Sequence, residues 1–278
     1  MNSYIGFLQD IDMPQEVAER LGSLSGEERI RALLSGEDYR ELMRYDLSAA
    51  AYLRLRKELT EHPAAENGLD MLLLQTMAAF SMRQQEPWQE IPEEIYLATM
   101  KCFSRFVREY RVSYGVYGFD RGFWTTRQIC GKLFRLGELE YEINDEENAV
   151  SIHIPGDADL SEEKLEASYA QQAAFFRGYF PEAAGRPRMC ESWLLSPALR
   201  ELLPPDSRIL SFAAHFQITK VDPEALDYLE WVYKLAAGQQ DHVRSEDLRE
   251  DTSLQRKMKA YLERGGKVGI AWGIWKEA

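Results

Sequence analysis

The sequence predicts an α+β fold in which a helical N-terminal domain precedes a mixed β-sheet with flanking helices. Up to about residue 130, apolar side chains recur every three or four positions, which is the period of an amphipathic helix. From Phe134 onward, short segments alternate apolar and polar residues, which is the period of a strand, and helical segments separate them. We therefore expect a helical domain over residues 1–120 and an α+β domain over residues 121–278.

The N-terminal half contains a series of amphipathic segments and one that is apolar all round. Helices are expected just after Pro14, over residues 26–34 and over residues 38–59. Leu69–Phe80 is apolar on every side, which indicates a helix buried within a bundle. Pro92 and the two acids after it favour a helix start. A glycine- and aromatic-rich hinge and a last helix over residues 125–133 then lead into the sheet.

Residues 134–143 (FRLGELEYEI) predict the first strand of the second half. Its apolar face contains Leu139, Tyr141 and Ile143, and its polar face contains Glu138, Glu140 and Glu142. We expect the three glutamates to form a solvated face. If that face instead lines a cleft, its charge favours a cationic amine as substrate.

Further strands are predicted over residues 149–155, 188–195, 208–221 and 267–275. The intervening helices are expected from Ser161 to Phe180, over residues 198–203, from Asp222-Pro223 to Gly238, and over residues 253–264. Arg208–Val221 has the most regular alternation of all these segments. This half thus predicts about five strands and three or four helices.

Composition and charge exclude several classes of protein. The 278 residues are 45% hydrophobic with a net charge of −13 and no cluster of Lys and Arg, so we expect neither a nucleic-acid nor a membrane partner. Three scattered cysteines suit reduced thiols rather than disulfides. With no secretory signal pattern and no apolar run of about 20 residues, a cytoplasmic location is predicted. The sequence leaves the oligomeric state open.

Several segments of the second half carry a family resemblance. They are FRLGELEYEI, SIHIPGDADL, SYAQQAAFFRGYFP, CESWLLSPALRELLPPDSRILSF and the sequence Ala214-His215-Phe216. In this order they resemble the bacterial acyltransferase-domain proteins that join a helical N-acyltransferase N-terminal domain to a GNAT-like C-terminal domain. The resemblance covers most of the C-terminal half, and the helical half agrees more loosely. It implies a GNAT-like sheet and an N-acyltransferase that uses acyl-CoA.

The resemblance also implies where CoA binds. GNAT enzymes hold the CoA diphosphate on backbone amides of a (Q/R)-x-x-G-x-(G/A) loop between a strand and a helix, and the corresponding segment here is Ile154–Ser161. Gly156, Ala158 and Ser161 are thereby implied as cofactor-binding residues. This loop has one glycine and lacks the Gln or Arg, and Asp157 and Asp159 would repel a diphosphate.

Glu191 and His153 are the candidate catalytic residues, because both are polar positions on strands expected near the sheet centre. A glutamate or histidine there could act as general base and deprotonate an ammonium before it attacks a thioester. The alternative is structural, since buried polar groups usually satisfy neighbouring donors and acceptors. Ser192, Trp193 and His215 are candidate substrate-binding residues. Cys190 is interpreted as a small buried hydrophobe, and no metal site is expected because the possible ligands lack a close-spaced pair.

Two functions remain open from the sequence. The first is a GNAT-type N-acyltransferase that moves an acyl group from acyl-CoA to an amine of a small molecule or peptide. The second is a GNAT-derived protein that has lost CoA and binds a small molecule or peptide without catalysis. The acidic loop at Asp157 and Asp159 favours the second unless other groups supply the phosphate site.

Overall fold

The computed structural model describes residues 3–235, Gln240 and residues 243–276. The chain divides into two compact units, Met1–Arg135 and Leu136–Ala278. The first unit is helical and the second contains nearly all of a mixed sheet with helices, so the predicted α+β class is confirmed. The first strand straddles the boundary between the two units.

The described residues of the first unit form helices of 5 to 17 residues joined by short turns. In chain order they are α1 (Tyr4–Asp10), α2 (Gln15–Leu24), α3 (Glu28–Leu34), α4 (Glu37–Glu41), α5 (Tyr45–Glu61), α6 (Leu69–Met82), α7 (Glu93–Met100), α8 (Cys102–Tyr114) and α9 (Gly122–Ile129). The predicted buried helix is α6, and the predicted helix over residues 38–59 is two helices. It is interrupted because Arg44 adopts an extended backbone, which the hydrophobic period does not reveal.

The core of the first unit is built around Trp88, which is fully buried. Its indole ring contacts Tyr96 and Phe134 edge-on, with centroids 5.2 and 5.3 Å apart. Its Nε1–H donates to the Ile129 carbonyl at 2.9 Å, so the polar atom of this large side chain is satisfied. The last helix of the unit is thereby fixed to the core.

The sheet has six strands in the order β1-β2-β3-β4-β6-β5, and all of them except most of β1 belong to the second unit. The strands are β1 (Leu133–Leu136), β2 (Leu139–Asn144), β3 (Ala149–His153), β4 (Arg188–Ser192), β5 (Phe216–Asp222) and β6 (Ile270–Trp275). The helices are α10 (Glu162–Tyr179), α11 (Pro181–Ala184), α12 (Leu199–Leu202), α13 (Arg208–Ala214), α14 (Asp227–Tyr233) and α15 (Ser253–Glu263). β3 and β4 run parallel, whereas the β2–β3, β4–β6 and β5–β6 pairs are antiparallel.

Helix α10 covers one face of the sheet. From that face Tyr141 of β2 places its hydroxyl 3.1 Å from Ser168 Oγ, and Arg188 of β4 donates through Nε to Gln172 Oε1 at 3.1 Å. A second hydrophobic cluster, formed mainly by α12, α14 and α15, includes Tyr233 and Met258. Polar and apolar residues alternate along these strands, so the polar residues lie on the opposite face of the sheet.

Three predicted segments differ in the structure. The single strand over residues 134–143 is two, because Gly137 turns the chain at φ +66° between β1 and β2. The strand over residues 188–195 ends at Ser192, and Trp193–Leu195 form a 3₁₀ turn. The helix expected from Asp222-Pro223 begins at Asp227 instead, and its predicted end at Gly238 lies outside the described residues.

The strand predicted over Arg208–Val221 is wrong in its first half, which forms α13. Ser207 caps this helix, since its Oγ accepts a hydrogen bond from the Ile209 N–H at 3.3 Å. Only Phe216–Asp222 form strand β5. Apolar residues at alternate positions fit a short helix as well as a strand, and the cap decides between them.

Candidate active site

The face of the sheet opposite α10 carries a row of polar side chains that we call the acid face. The antiparallel register places Glu140 opposite His153 and Glu142 opposite Ser151. The parallel register places Ser151 beside Met189, so Glu191, two residues further along β4, lies on the same face. The acid face is therefore formed by Glu140, Glu142, Ser151, His153, Met189 and Glu191.

The expectation that Glu138, Glu140 and Glu142 form a solvated face is wrong for two of them. Glu140 is 2% exposed and Glu142 is 8% exposed. A carboxylate is buried only where it has partners, because moving a charge out of water is costly. The alternating pattern predicted the face on which these residues lie but not whether that face is covered.

His153 and Glu142 form a hydrogen-bonded pair on the acid face. The Nε2–H of His153 donates to Glu142 Oε2 at 2.9 Å, across the diagonal of the β2–β3 ladder. Both side chains are largely buried, with 24% and 10% exposed respectively. A carboxylate that accepts a hydrogen bond from one ring nitrogen fixes the tautomer and the orientation of the imidazole.

Glu142 is the site residue that sequence reasoning missed. The alternation places Glu142 and His153 on polar strand faces, but the register that brings them diagonally opposite each other is seen only in the structure. A shift of one residue in that register exchanges the two faces of a strand. The pair was therefore not evident from the alternation by itself.

The paired residues of the two parallel strands lie just before His153. In this fully described part of the chain, the β3–β4 ladder contains two residue pairs, Val150–Arg188 and Ser151–Met189. His153 and Glu191 lie past the last pair. Both candidate catalytic residues therefore lie toward the same end of these two central strands.

Glu191 and its neighbours on β4 have different surroundings. Glu191 is exposed and pairs in the ladder with Trp272 of β6. Cys190 points to the opposite face and is 2% exposed, and its burial raises the pKa of the thiol well above its usual range. A thiol that keeps its proton is a poor nucleophile, which agrees with Cys190 being a small hydrophobe.

The three candidate substrate-binding residues do not lie together. The Ser192 hydroxyl accepts from the Leu194 N–H at 3.1 Å and caps the 3₁₀ turn. Trp193 packs against the cluster of α12, α14 and α15. His215 follows α13, and its Nε2 lies 3.1 Å from Glu162 Oε1 at the start of α10, on the helix-covered side of the sheet. His215 and His153 are therefore on opposite sides of the sheet.

The loop from Gly156 to Ser161 joins β3 to α10. The Ala158 N–H donates to the Pro155 carbonyl at 3.0 Å, and the Ser161 N–H donates to Asp159 Oδ1 at 3.0 Å. Arg208 Nη1 lies 2.9 Å from the same oxygen of Asp159. These contacts, led by the Ser161 N–H, hold the pKa of Asp159 below its usual range. Arg208 therefore compensates one of the two acidic charges of this loop.

Among the described residues, no group of three or more His, Cys, Asp or Glu side chains could hold a metal ion. In the same part of the chain, no helix combines the length and apolar character that a bilayer crossing requires.

Solved structures of acyltransferases share this fold. One, in complex with decanoyl-CoA and teicoplanin, is 24% identical with a TM-score of 0.79, covering 97% of this chain and 86% of that chain. Another, a tryptophan-to-alanine mutant in complex with octanoyl-CoA, is 23% identical with a TM-score of 0.81, covering 98% and 87%. A third, in complex with CoA and 10C-teicoplanin, is 20% identical with a TM-score of 0.69, covering 99% of each chain.

Comparison with curated proteins gave no match. Family models, by contrast, account for nearly the whole chain. Residues 3–131 match the N-acyltransferase N-terminal domain, and residues 133–275 match the GNAT-like C-terminal domain. The junction of the two matches lies close to the boundary of the two compact units at Arg135. The chain belongs to the family in which an N-acyltransferase N-terminal domain precedes a GNAT-like C-terminal domain.

Proposed function

We propose that this chain is a GNAT-type N-acyltransferase that moves an acyl group from acyl-CoA to an amine of a small molecule or peptide. The observation that carries the proposal is the hydrogen-bonded pair of Glu142 and His153, which lies just past the last paired residues of β3 and β4. The family and the fold agree with it. The solved structures with this fold contain decanoyl-CoA, octanoyl-CoA or CoA, and two of them also contain teicoplanin or a derivative of it.

His153 acts as the general base in this proposal. Its Nδ1 takes a proton from the substrate ammonium, and the resulting amine attacks the carbonyl carbon of the thioester. The C–N bond forms, the C–S bond breaks and the thiolate of CoA leaves with the electron pair. The new amide nitrogen loses its extra proton, and the thiolate takes up one proton to become the thiol. Glu142 holds the imidazole through Nε2–H and stabilises the imidazolium. Glu191, exposed further along β4, can bind the ammonium before it is deprotonated.

The end of the β3–β4 ladder is the proposed binding place of the acyl donor. The pantetheine arm of CoA is an extended chain with two amides, which can pair with backbone groups of β3 and β4 beyond Ser151 and Met189. The Gly156–Ser161 loop would hold the diphosphate, with Arg208 as the nearby cation. The thioester supplies the activated acyl group.

The alternative of a binding protein that has lost CoA is supported by the same loop. The N–H groups of Ala158 and Ser161 already donate within the loop, and Asp157 adds a second negative charge. If these bonds persist, a diphosphate finds few donors there. A thermal-shift titration with CoA and acyl-CoA decides between the two functions, because a ligand that binds the folded state raises its stability.

The catalytic test uses His153→Gln. We expect kcat to fall by about 10²–10⁴-fold because the general base is lost, while the shift of the melting temperature by CoA persists. The matched control is His62→Gln, an exposed histidine at the end of α5, which should leave turnover unchanged. Absence of any stabilisation by millimolar CoA would exclude the transferase. CoA binding with full turnover in His153→Gln would exclude His153 as the base.

A further inference from the structure

A β-bulge in the edge strand β5 changes the face to which a lysine points. Ile218 pairs with Gly273 of β6, and the next pair joins Lys220 to Trp272, so Thr219 is an extra residue in β5. The Thr219 hydroxyl donates to the Trp272 carbonyl at 3.3 Å, which holds the bulge in place. In an unbroken ladder Thr219 would pair with Trp272, and Lys220 would point to the face that α10 covers.

Trp272 lies on the same side of the sheet as the acid face. It pairs with Glu191 in the β4–β6 ladder, and residues directly opposite each other share a face. Trp275, three residues later in β6, points the other way, since its ring centroid lies 4.7 Å from that of Tyr169 in α10. The bulge therefore brings Lys220 to the side of the sheet that carries the candidate catalytic residues.

The ammonium of Lys220 lies over the indole ring of Trp272. The Nζ atom is 4.1 Å from the ring centroid, which is the distance of a cation–π contact. Within the described residues, Lys220 has no ion pair with a carboxylate. Asp222, two residues later in β5, uses its Oδ1 to accept from the Glu224 N–H at 3.0 Å. The charge of Lys220 is thus held in position and available to an anion.

Glu191, Trp272 and Lys220 form what we call the charged row, which crosses the neighbouring strands β4, β6 and β5. Glu191 is exposed and, like Lys220, forms no ion pair within the part of the chain that the structure describes. His153 and Glu191 each lie two residues beyond the last pair of the β3–β4 ladder, so they are neighbours on one face. The acidic end of the charged row is therefore beside His153.

Apolar side chains lie next to the charged row on the same face. Met189 and Ile274 pair with each other, and each is two residues away from a member of the row in its own strand. Ile274 is 38% exposed, and Trp272 is partly exposed. Apolar surface beside a few fixed polar groups is typical of a site for a small organic molecule.

The spacing of the two charges indicates the length of that molecule. Lys220 starts two strands from Glu191, but its ammonium lies above the strand between them, so the charges are about 5–10 Å apart. Both side chains point away from the sheet, so a ligand that lies over them needs charges at a similar separation. One residue of extended chain spans at most about 3.6 Å, so an α-amino acid is too short, whereas a dipeptide of about 7 Å fits.

We propose that the acyl acceptor is a short peptide whose terminal amine binds Glu191 and whose carboxylate binds Lys220. Its apolar side chain packs against Trp272 and Ile274. The inference rests on the proposed function, because it names the acceptor class of that reaction. It makes Lys220 a residue that determines specificity, whereas the amine of the peptide lies beside His153, where it is deprotonated.

The test measures the Kd of the dipeptide Ala-Phe and of its C-terminal amide by calorimetry, with millimolar CoA present. The amide keeps the amine and the apolar ring but lacks the carboxylate. We expect the wild-type chain to bind Ala-Phe about tenfold more tightly than the amide, because a charged hydrogen bond to Lys220 is made only by the acid. In Lys220→Gln the Kd of Ala-Phe should rise about tenfold to equal that of the amide, whose own Kd stays unchanged.

Two further variants serve as controls. Lys220→Arg keeps a cation that can lie over Trp272 and should keep the preference for the acid. Lys257→Gln removes an exposed lysine of α15 and should change neither Kd, although it alters the net charge by the same amount.

The outcomes separate the two proposals. If the wild-type chain binds no CoA, the proposed function fails and the assignment of an acceptor fails with it. If the chain binds CoA but binds neither dipeptide, or binds acid and amide equally, only this inference is overturned. A preference for the acid that persists in Lys220→Gln would also overturn it, because another group would then hold the carboxylate.

Discussion

At the scale of single residues, the pair of His153 and Glu142 has the clearest chemical meaning. Their 2.9 Å contact joins an imidazole to a carboxylate that is 8% exposed. In a partly buried setting such a contact is stronger than in water, and it strengthens further when the imidazole becomes charged. The proposed mechanism therefore assigns to Glu142 the positioning of His153 and the stabilisation of its protonated form.

Glu142→Gln tests this role. Glutamine keeps a hydrogen-bond acceptor but removes the charge, so we expect kcat to fall about 10–100-fold, equivalent to about 1.5–3 kcal/mol, with a smaller change in KM. Steady-state kinetics with a saturating acyl donor measures both. The control is Glu146→Gln, at an exposed glutamate in the β2–β3 turn, which should leave kcat and KM unchanged. An unchanged kcat in Glu142→Gln would show that Glu142 has no part in orienting a base.

The sequence predicted half of this site. Alternation along residues 149–153 correctly placed His153 on the face opposite Val150 and Ile152. The partner was not predicted, because it depends on the β2–β3 register, which long-range packing sets. Glu191 and His153 were expected on strands near the sheet centre, and β3 and β4 are the two middle strands. Their catalytic roles stay predictions.

At the scale of elements, α13 shows why a two-residue period is ambiguous. Leu210, Phe212 and Ala214 alternate as in a strand, yet in the structure they belong to a helix in which Phe212 is fully buried. A segment of seven residues contains too few turns for the two periods to differ clearly. The capping residue Ser207, directly after Pro204-Pro205-Asp206, was the available signal for a helix start.

Ser207→Ala should therefore lower the free energy of unfolding by about 1 kcal/mol, because the Ile209 N–H loses its acceptor. Ser207→Asp retains an acceptor at the N-cap and should be close to neutral. Urea denaturation of the two variants measures the difference as a shift of the midpoint at constant slope. If alanine and aspartate have the same effect, the cap does not stabilise α13.

At the scale of the whole molecule, burial was the property that the sequence predicted least well. The pattern identified two parts, helical and then mixed, and the family models match the same two parts. It did not predict that Glu140 and Glu142 are buried. Whether one face of a strand is covered depends on elements far away in the chain, so a local period carries no information about it.

Burial also makes stability depend on pH through the cysteines. Burial raises the pKa of the Cys130 thiol to about 12 and that of Cys190 further still. An unfolded thiol has a pKa of about 8.5. Above that value the unfolded chain loses protons that the folded chain keeps, so folding stability is fully present below about pH 8.5 and falls as the pH rises. For Cys130 the loss continues until the pH passes about 12.

Between pH 7.5 and pH 9.5 we therefore expect the two thiols together to lower the free energy of unfolding by about 2–3 kcal/mol. Urea denaturation at several pH values, with a reducing agent present, measures this slope. Cys130→Ala and Cys190→Ala should each remove about half of this pH-dependent loss of free energy. That expectation holds whether or not the variants are less stable at pH 7.5. The comparison uses slopes because each variant also changes the packing of the core. A slope in Cys190→Ala equal to that of the wild-type chain would mean that the Cys190 thiol ionises in the folded protein, in conflict with its burial beneath α10.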